Sequence, residues 1–133
     1  MQPRASSATC SRGTAAIAAI LSRLCDQVWG IELEQQLALR ATQTLRAAGI
    51  DNVTVLCGDG SAGLSEHAPY DAVNVAATAH GIVPAALEQQ LALGGRLVAP
   101  VADDEGEQLV LVRRLEHGLE RVRLEPVRFV PLR

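Results

Sequence analysis

The chain has 133 residues, 48% of them hydrophobic and 20% charged, which predicts one folded globular domain and excludes a disordered chain. Arg23 and Asp26 interrupt the longest apolar stretch before it reaches the roughly 18 residues of a membrane span, so no membrane partner is expected. The formal net charge is −3 and the arginines are scattered, which argues against nucleic acid as a partner.

The first half of the chain predicts two helices, each followed by a strand. Residues 14–25 place apolar side chains at the i, i+3, i+4 and i+7 spacing of an amphipathic helix. A short β-rich run at 27–32 ends in an acid, and a second amphipathic helix follows over 33–48, with Gly49 as its C-terminal stop. Residues 52–57 are rich in β-branched side chains and predict the next strand.

The second half predicts a buried strand, a helix and a further strand. The nearly continuous apolar run at 70–77 is typical of a central strand that is covered on both faces of a parallel sheet. Pro84 predicts the first turn of a helix that reaches about residue 91. Gly94 and Gly95 predict the end of that helix before a strand at 96–101.

The C-terminal part changes character. An acidic loop at 103–107 precedes two strand-like runs, 108–114 and 119–124, joined at His117 and Gly118, which predicts an antiparallel hairpin at the sheet edge. The alternation of helices and strands before it predicts an α/β fold with an open parallel sheet that is covered on both faces.

Two acids follow consecutive predicted strands. In open α/β sheets ligands bind outside the carboxyl ends of the strands. The carboxylate of Glu32 can accept hydrogen bonds from two ribose hydroxyls, or it is a solvated acid in the first turn of the next helix. Asp59, between two glycines, can accept from an adenine amine, or it belongs to an ordinary Asp-Gly turn. Side by side in a parallel sheet, the two acids would flank one crevice.

The remaining reactive side chains predict no metal or covalent chemistry. The chain has three cysteines at wide spacing, at positions 10, 25 and 57. Their odd number and spacing predict reduced thiols and a cytoplasmic location. The three histidines, at positions 67, 80 and 117, are isolated from one another and are predicted to lie at the surface. The acids at 103–105 are predicted to form a solvated loop without a bound cation.

Several segments, in order and spacing, resemble the C-terminal portion of the protein-L-isoaspartate O-methyltransferase family. The pairing of GDG with APYD and a terminal RFVPL is specific to this family. The resemblance covers roughly residues 14–133. Its segments are VWGIE (28–32), NVTVLCGDGSAG (52–63), EHAPYDAVNVAATA (66–79), LALGGRLVAPV (91–101) and PVRFVPLR (126–133).

The resemblance implies a Rossmann-like S-adenosylmethionine-dependent methyltransferase fold, truncated at the N-terminus, with an antiparallel C-terminal hairpin. It implies S-adenosylmethionine as cofactor and methylation of isoaspartyl carboxylates in proteins or peptides, a step of protein repair. Such a carboxylate is already ionised at pH 7 and attacks the methyl group in line, so no catalytic residue is assigned.

The resemblance also assigns cofactor-binding residues. Glu32 falls where the family binds the ribose hydroxyls, with Leu33 beside it. Asp59 and Gly60 fall where the family holds adenine. Gln108 matches a glutamine near the cofactor.

The Gly-rich cofactor loop departs from the family pattern. Gly13 remains as a cofactor residue, but Ser11 and Ala15 replace the two other glycines, and an added Cβ costs about 1 kcal/mol where positive φ is required. The family's N-terminal region and the first strand of the sheet have no recognisable counterpart. Impaired activity is therefore expected, and the alternative is a non-catalytic remnant that at most binds nucleoside or a partner chain.

Residues 1–13 are predicted to form an atypical, disordered segment, produced by a misplaced start or a frameshift, ahead of a methyltransferase-like domain at 14–133. A missing central strand would expose sheet edges, so self-association through such an edge is also predicted.

Overall fold

The computed structural model describes residues 6–9, 14–75 and 79–126, with the side chains of 16–75 and 79–124. Two short 3₁₀ helices, Gly60–Ala62 and Ser65–His67, lie between the third and fourth strands. The strands and α-helices follow in the order β1 Ser6–Thr9, α1 Thr14–Ser22, β2 Val28–Glu32, α2 Gln35–Ala47, β3 Val53–Cys57, β4 Tyr70–Val75, β5 Ala79–His80, α3 Ala85–Gln89, β6 Leu91–Asp103, β7 Gly106–Leu115 and β8 Gly118–Pro126.

The strands form one mixed sheet in the order β3-β2-β1-β4-β6-β7-β8, with β5 paired to β6. Pairing is parallel from β3 through β6 and antiparallel from β6 to β8. The predicted parallel α/β sheet with an antiparallel hairpin at its edge is thereby confirmed. The strand predicted at 70–77 is central, as expected. Among the described residues, each helix is too short or too polar to cross a membrane.

The prediction that the first strand of the sheet is absent is wrong. Strand β1 lies in the middle of the sheet, where Ser6–Thr9 pairs with residues 28–31 of β2 on one side and 72–75 of β4 on the other. Its sequence, SSAT, has no apolar alternation, so pairing with two neighbours rather than local propensity explains the strand.

Strand β1 also bears on the N-terminal segment that the sequence predicts to be disordered. Its four residues fall within 1–13, whereas residues 1–5 and 10–13 lie outside the described residues. Because β1 fills the centre of the sheet, the exposed edge on which self-association was predicted is paired. The outer strands of the described sheet are β3 and β8.

Strand β6 begins earlier than the sequence predicts. Gly94 and Gly95 do not end a helix before a strand at 96–101, because β6 starts at Leu91 and runs through both glycines. Its register against β4 shifts at this point, which marks a bulge. Gly94 has φ +80°, and a Cβ on Gly95 would lie 2.8 Å from the Tyr70 carbonyl oxygen, so both positions favour glycine.

The sheet buries apolar side chains on both faces. Val28 of β2 packs with Ala18 of α1 and Leu45 of α2 on one face. Trp29, the next residue of β2, packs against the larger cluster on the other face, as the alternation of side chains along a strand requires. The fully buried members of that larger cluster include Tyr70, Leu87, Leu91, Leu97, Ala99 and Val112.

An ion pair between a buried carboxylate and a half-exposed arginine attaches the short helix α3 to the C-terminal hairpin. Glu88 of α3 is 3% exposed, and Arg121 of β8 donates to both of its carboxylate oxygens, from Nε at 2.7 Å and from Nη2 at 2.8 Å. This parallel pair of charge-assisted bonds is the strong geometry for arginine and carboxylate. The hydrogen bond and charge of Glu88 raise the pKa of Arg121, which therefore stays charged.

Removing this arginine is expected to destabilise the protein. We expect Arg121→Ala to lower the free energy of unfolding by about 2 kcal/mol, because Glu88 would keep a buried charge without its donors. Arg123→Ala is the matched control on the same strand. Its partners Asp103 (3.5 Å) and Glu105 (3.7 Å) are both more exposed to solvent than Glu88, so its loss should cost less than about 1 kcal/mol. Urea unfolding at pH 7 measures both, and equal losses would contradict the assignment.

Candidate functional site

The two predicted acids follow adjacent parallel strands. β2 and β3 end together, since Glu32 lies opposite Cys57 and the Gly58 N–H donates to the Glu32 carbonyl at 2.9 Å. Asp59 comes two residues after Cys57. The structure therefore brings Glu32 and Asp59 to the same edge of the sheet, at the carboxyl ends of neighbouring strands.

Glu32 is buried although it lies at the end of a strand. Its side chain is 1% exposed, and Oε1 accepts a long hydrogen bond from the Glu34 N–H at 3.5 Å. The alternative of a solvated acid in the first turn of the next helix is wrong, because α2 begins only at Gln35. Leu33 beside it is 65% exposed, and its carbonyl accepts from the Cys57 thiol at 3.4 Å.

Asp59 is exposed and caps the first 3₁₀ helix, which begins at Gly60. The N–H and hydroxyl of Ser61 both donate to Oδ1 of Asp59, at 2.9 and 2.8 Å. The backbone bond first, and then the hydroxyl bond, lowers the pKa of Asp59, because both bonds favour the ionised form. The carboxylate is thus held charged and oriented at the surface.

Sequence reasoning missed Ser61, although the pattern Asp-x-Ser after a strand is a recognisable capping arrangement. It also placed His67 at the surface without a partner. His67 is exposed, but its ring stacks on Trp29 with centroids 3.6 Å apart and an interplanar angle of 8°. Because these two residues are far apart along the chain, no local pattern predicts the contact.

Gln108 does not lie with the two acids. It is on β7 opposite Val101, four strand positions from β2, which corresponds to about 19 Å at the usual strand spacing. It lines a separate open cavity of about 320 Å³ between β6, β7, β8 and residues 81–83, together with Asp103 and Val110. Gly13, the remaining predicted cofactor residue, lies outside the described residues.

The other reactive residues of the described chain are dispersed. Cys25 is partly buried and Cys57 is exposed. His80, in β5, and His117, in the turn between β7 and β8, are exposed. Within residues 14–75 and 79–126 no three or more His, Cys, Asp or Glu side chains converge as a metal site.

Comparison with known proteins identifies the family. The model of the protein-L-isoaspartate(D-aspartate) O-methyltransferase family matches residues 5–133. The chain belongs to this family. The match starts at residue 5, rather than near residue 14 as predicted, and so it includes β1.

A similar relative is the protein-L-isoaspartate O-methyltransferase of Roseiflexus castenholzii, which is 48% identical over 120 residues, covering 90% of this chain and 55% of the relative. The chain spans about half the length of the curated relatives it matches.

Solved structures support the fold of this family. A protein-L-isoaspartate O-methyltransferase superposes with a TM-score of 0.86 at 26% identity, over 98% of this chain and 42% of that one. A putative protein-L-isoaspartate O-methyltransferase from Plasmodium falciparum, in complex with S-adenosyl-L-homocysteine, gives 0.82 at 21% identity, over 99% and 67% of the two chains. The predicted Rossmann-like methyltransferase fold is confirmed.

The Ser61 contacts generate a test of the Asp59 environment. We expect Ser61→Ala to raise the pKa of Asp59, because the hydroxyl bond is lost while the backbone bond persists. Because the pKa of Asp59 is lowered in the folded protein, its carboxylate stabilises the fold at pH values above the ordinary pKa of 3.8. This stabilisation is lost as the pH falls through the lowered pKa. Titration of the Asp59 carboxyl by NMR measures the change. Ser65→Ala, in the second 3₁₀ helix, is the control and should leave the Asp59 titration in place.

Proposed function

We propose that this chain binds S-adenosylmethionine and methylates the side-chain carboxylate of isoaspartyl residues in proteins and peptides, as a step of protein repair. The observation that carries the proposal is the pair of acids, Glu32 and Asp59, at the carboxyl ends of adjacent strands in a chain of this family. Because the chain spans about half of its relatives, the activity of the whole protein is itself part of the proposal.

The two carboxylates fit the polar groups of a nucleoside. Glu32 has two acceptor oxygens for vicinal ribose hydroxyls. In Asp59, Ser61 occupies Oδ1, and Oδ2 has no hydrogen-bond partner within the described part of the chain. That oxygen can accept from an adenine amine, with Gly60 leaving room for the ring. We assign Leu33 to the ribose side and Gly13 to the remainder of the cofactor, on the family resemblance. Gln108, which lines a separate cavity, is not assigned to this nucleoside site.

The chemistry requires alignment rather than proton transfer. When bound, S-adenosylmethionine supplies an electrophilic methyl group on a positively charged sulfur. The accepting carboxylate is ionised at pH 7 and forms the new O–C bond, while the electron pair of the broken C–S bond stays on sulfur. The protein has to hold the two groups in line and exclude water, so no general base is assigned.

A second candidate is a protein that binds nucleoside and transfers no methyl group. The observation behind this alternative is that Ser11 and Ala15 stand at two of the three glycine positions of the cofactor loop, whereas the family match supports the first candidate. Methyl transfer distinguishes the two candidates, whereas nucleoside binding is common to both.

We also propose a cytoplasmic location and peptide rather than nucleic-acid substrates. The odd number and wide spacing of the three cysteines support the location, and the net charge of −3 supports the substrate class. Self-association is proposed only for β3, an outer strand of the described sheet, whose outer edge offers main-chain groups to a second chain.

Calorimetry with S-adenosylhomocysteine tests the nucleoside site. We expect Asp59→Ala to weaken binding by about 1 to 3 kcal/mol, the scale of a lost charge-assisted hydrogen bond. Asp51→Ala is the matched control, since Asp51 lies before the amino end of β3 whereas Asp59 follows its carboxyl end. This substitution should leave binding unchanged. Unchanged binding in Asp59→Ala would place the site elsewhere.

Methyl transfer is then measured with an isoaspartyl peptide and its ordinary aspartyl counterpart. The proposed function predicts transfer from S-adenosylmethionine to the isoaspartyl peptide alone. Binding of the nucleoside without transfer would favour the second candidate, and absence of both would refute the site.

A further inference from the structure

One side chain at the end of α3 holds the loop that follows Asp59. Oε1 of Gln90 accepts from the Leu64 N–H at 2.9 Å, and its Nε2 donates to the Ala62 carbonyl at 3.0 Å. These two hydrogen bonds, here called the Gln90 bridge, satisfy one donor and one acceptor of the loop backbone. Gly63 lies between the two partners with φ +65°, and a Cβ there would lie 2.2 Å from Oε1 of Gln90.

Two other contacts hold the same loop at Leu64 and at His67. The Tyr70 hydroxyl donates to the Leu64 carbonyl, and His67 stacks on Trp29 of β2. Burial first, and then the charge of Glu66, raises the pKa of Tyr70 to about 12, so the hydroxyl remains a donor throughout the physiological range. The loop is therefore attached to three elements: α3, β4 and β2.

The Gln90 bridge acts on the helical turn that orients Asp59. The Ala62 N–H donates to the Asp59 carbonyl at 3.3 Å, and Ser61, between these two residues, donates twice to the Asp59 carboxylate. Nε2 of Gln90 holds the carbonyl of the same Ala62. Displacement of Ala62 would therefore move Ser61 and turn the carboxylate of Asp59.

We propose that Gln90 is a positioning residue of the nucleoside site: its amide fixes the Gly60–Leu64 turn and thereby the direction of the Asp59 carboxylate. The assignment rests on the proposed function for the identity of the ligand. An amide suits this position because the loop offers one N–H and one carbonyl to the same side chain, and an amide carries an acceptor and a donor on separate atoms without ionising near neutral pH.

Gln90→Glu isolates the donor. The introduced carboxylate can still accept from the Leu64 N–H, but it cannot donate to the Ala62 carbonyl until it is protonated. Partial burial and the facing carbonyl should raise the pKa of this carboxyl above its ordinary value of about 4.3. The nearby charged and titratable groups are Asp59, Glu66, His67 and Tyr70 of the loop and β4, Glu88 of α3, and Arg114 of β7, which donates to the Gln89 and Leu91 carbonyls.

The expected result is a nucleoside affinity that depends on pH in the variant alone. At pH 8 Gln90→Glu should bind S-adenosylhomocysteine about 5- to 10-fold more weakly than the unmodified chain, the effect of one net hydrogen bond. The difference should shrink as pH falls and the introduced carboxyl regains its donor. Gln90→Met, which keeps the size and removes both bonds, should lose affinity at every pH without recovery. If Gln90 only stabilised the fold, the affinity of Gln90→Glu for S-adenosylhomocysteine would not recover as the pH falls.

A second readout needs no ligand. Trp29 is the single tryptophan of the chain, so its fluorescence reports the stack with His67 at the end of the loop. Each variant is compared with the unmodified chain at the same pH, so that any effect of pH on the fluorescence of Trp29 itself cancels. The spectrum of Gln90→Glu should differ at pH 8 and converge at low pH. Gln89→Glu adds the same charge at the adjacent exposed residue and should change neither readout.

The outcomes separate the two proposals. A fluorescence change with unaltered affinity would overturn the positioning role of Gln90. Fluorescence and affinity that match the unmodified chain at every pH would overturn the bridge itself. If the unmodified chain binds no S-adenosylhomocysteine, the proposed function and the positioning role both fail, and fluorescence alone then decides whether the bridge exists. Far-UV circular dichroism establishes that each variant is folded.

Discussion

Parallel pairing along both sides of β1 joins the two halves of the sheet. On one side lie β2 and β3 with the acids at their ends, and on the other lie β4 and the strands that lead to the hairpin. The loop after Asp59 leads back over the sheet from β3 to β4, so its two ends are attached to opposite halves. The four backbone residues of β1 therefore set the distance that this loop has to span. The geometry of the candidate site follows from main-chain hydrogen bonds before any side chain contributes.

The parts predicted from the sequence are those with a local cause. Apolar periodicity and Gly49 located both longer helices, and β-branched runs located β2, β3 and β4 with the acids that follow them. The missed parts depend on partners distant in the chain. Strand β1 has no apolar pattern, and Gly94 and Gly95 form a bulge only because β4 lies alongside. Gln90 reaches a loop more than twenty residues away, and no periodicity indicates such a contact.

The two acids occupy different environments although their strands are neighbours. Glu32 is almost fully enclosed, and Asp59 is exposed and held by Ser61. A ligand that contacts both would have one end in the protein interior and the other at the surface. At the enclosed end, around Glu32, the dielectric constant is lower and a hydrogen bond to a carboxylate is stronger. At the exposed end, the Asp59 carboxylate depends on its orientation by Ser61 in the helix that it caps.

The short helix α3 and the residue after it carry two attachments to different parts of the structure. Glu88 binds the hairpin through Arg121, and Gln90, just beyond the helix, binds the loop after Asp59. Only one residue separates them, so the backbone cannot yield at one without moving the other. The effect of a substitution in the C-terminal hairpin can therefore reach the loop after Asp59 without a direct contact. The hairpin is in this sense a remote support of the ligand-binding edge.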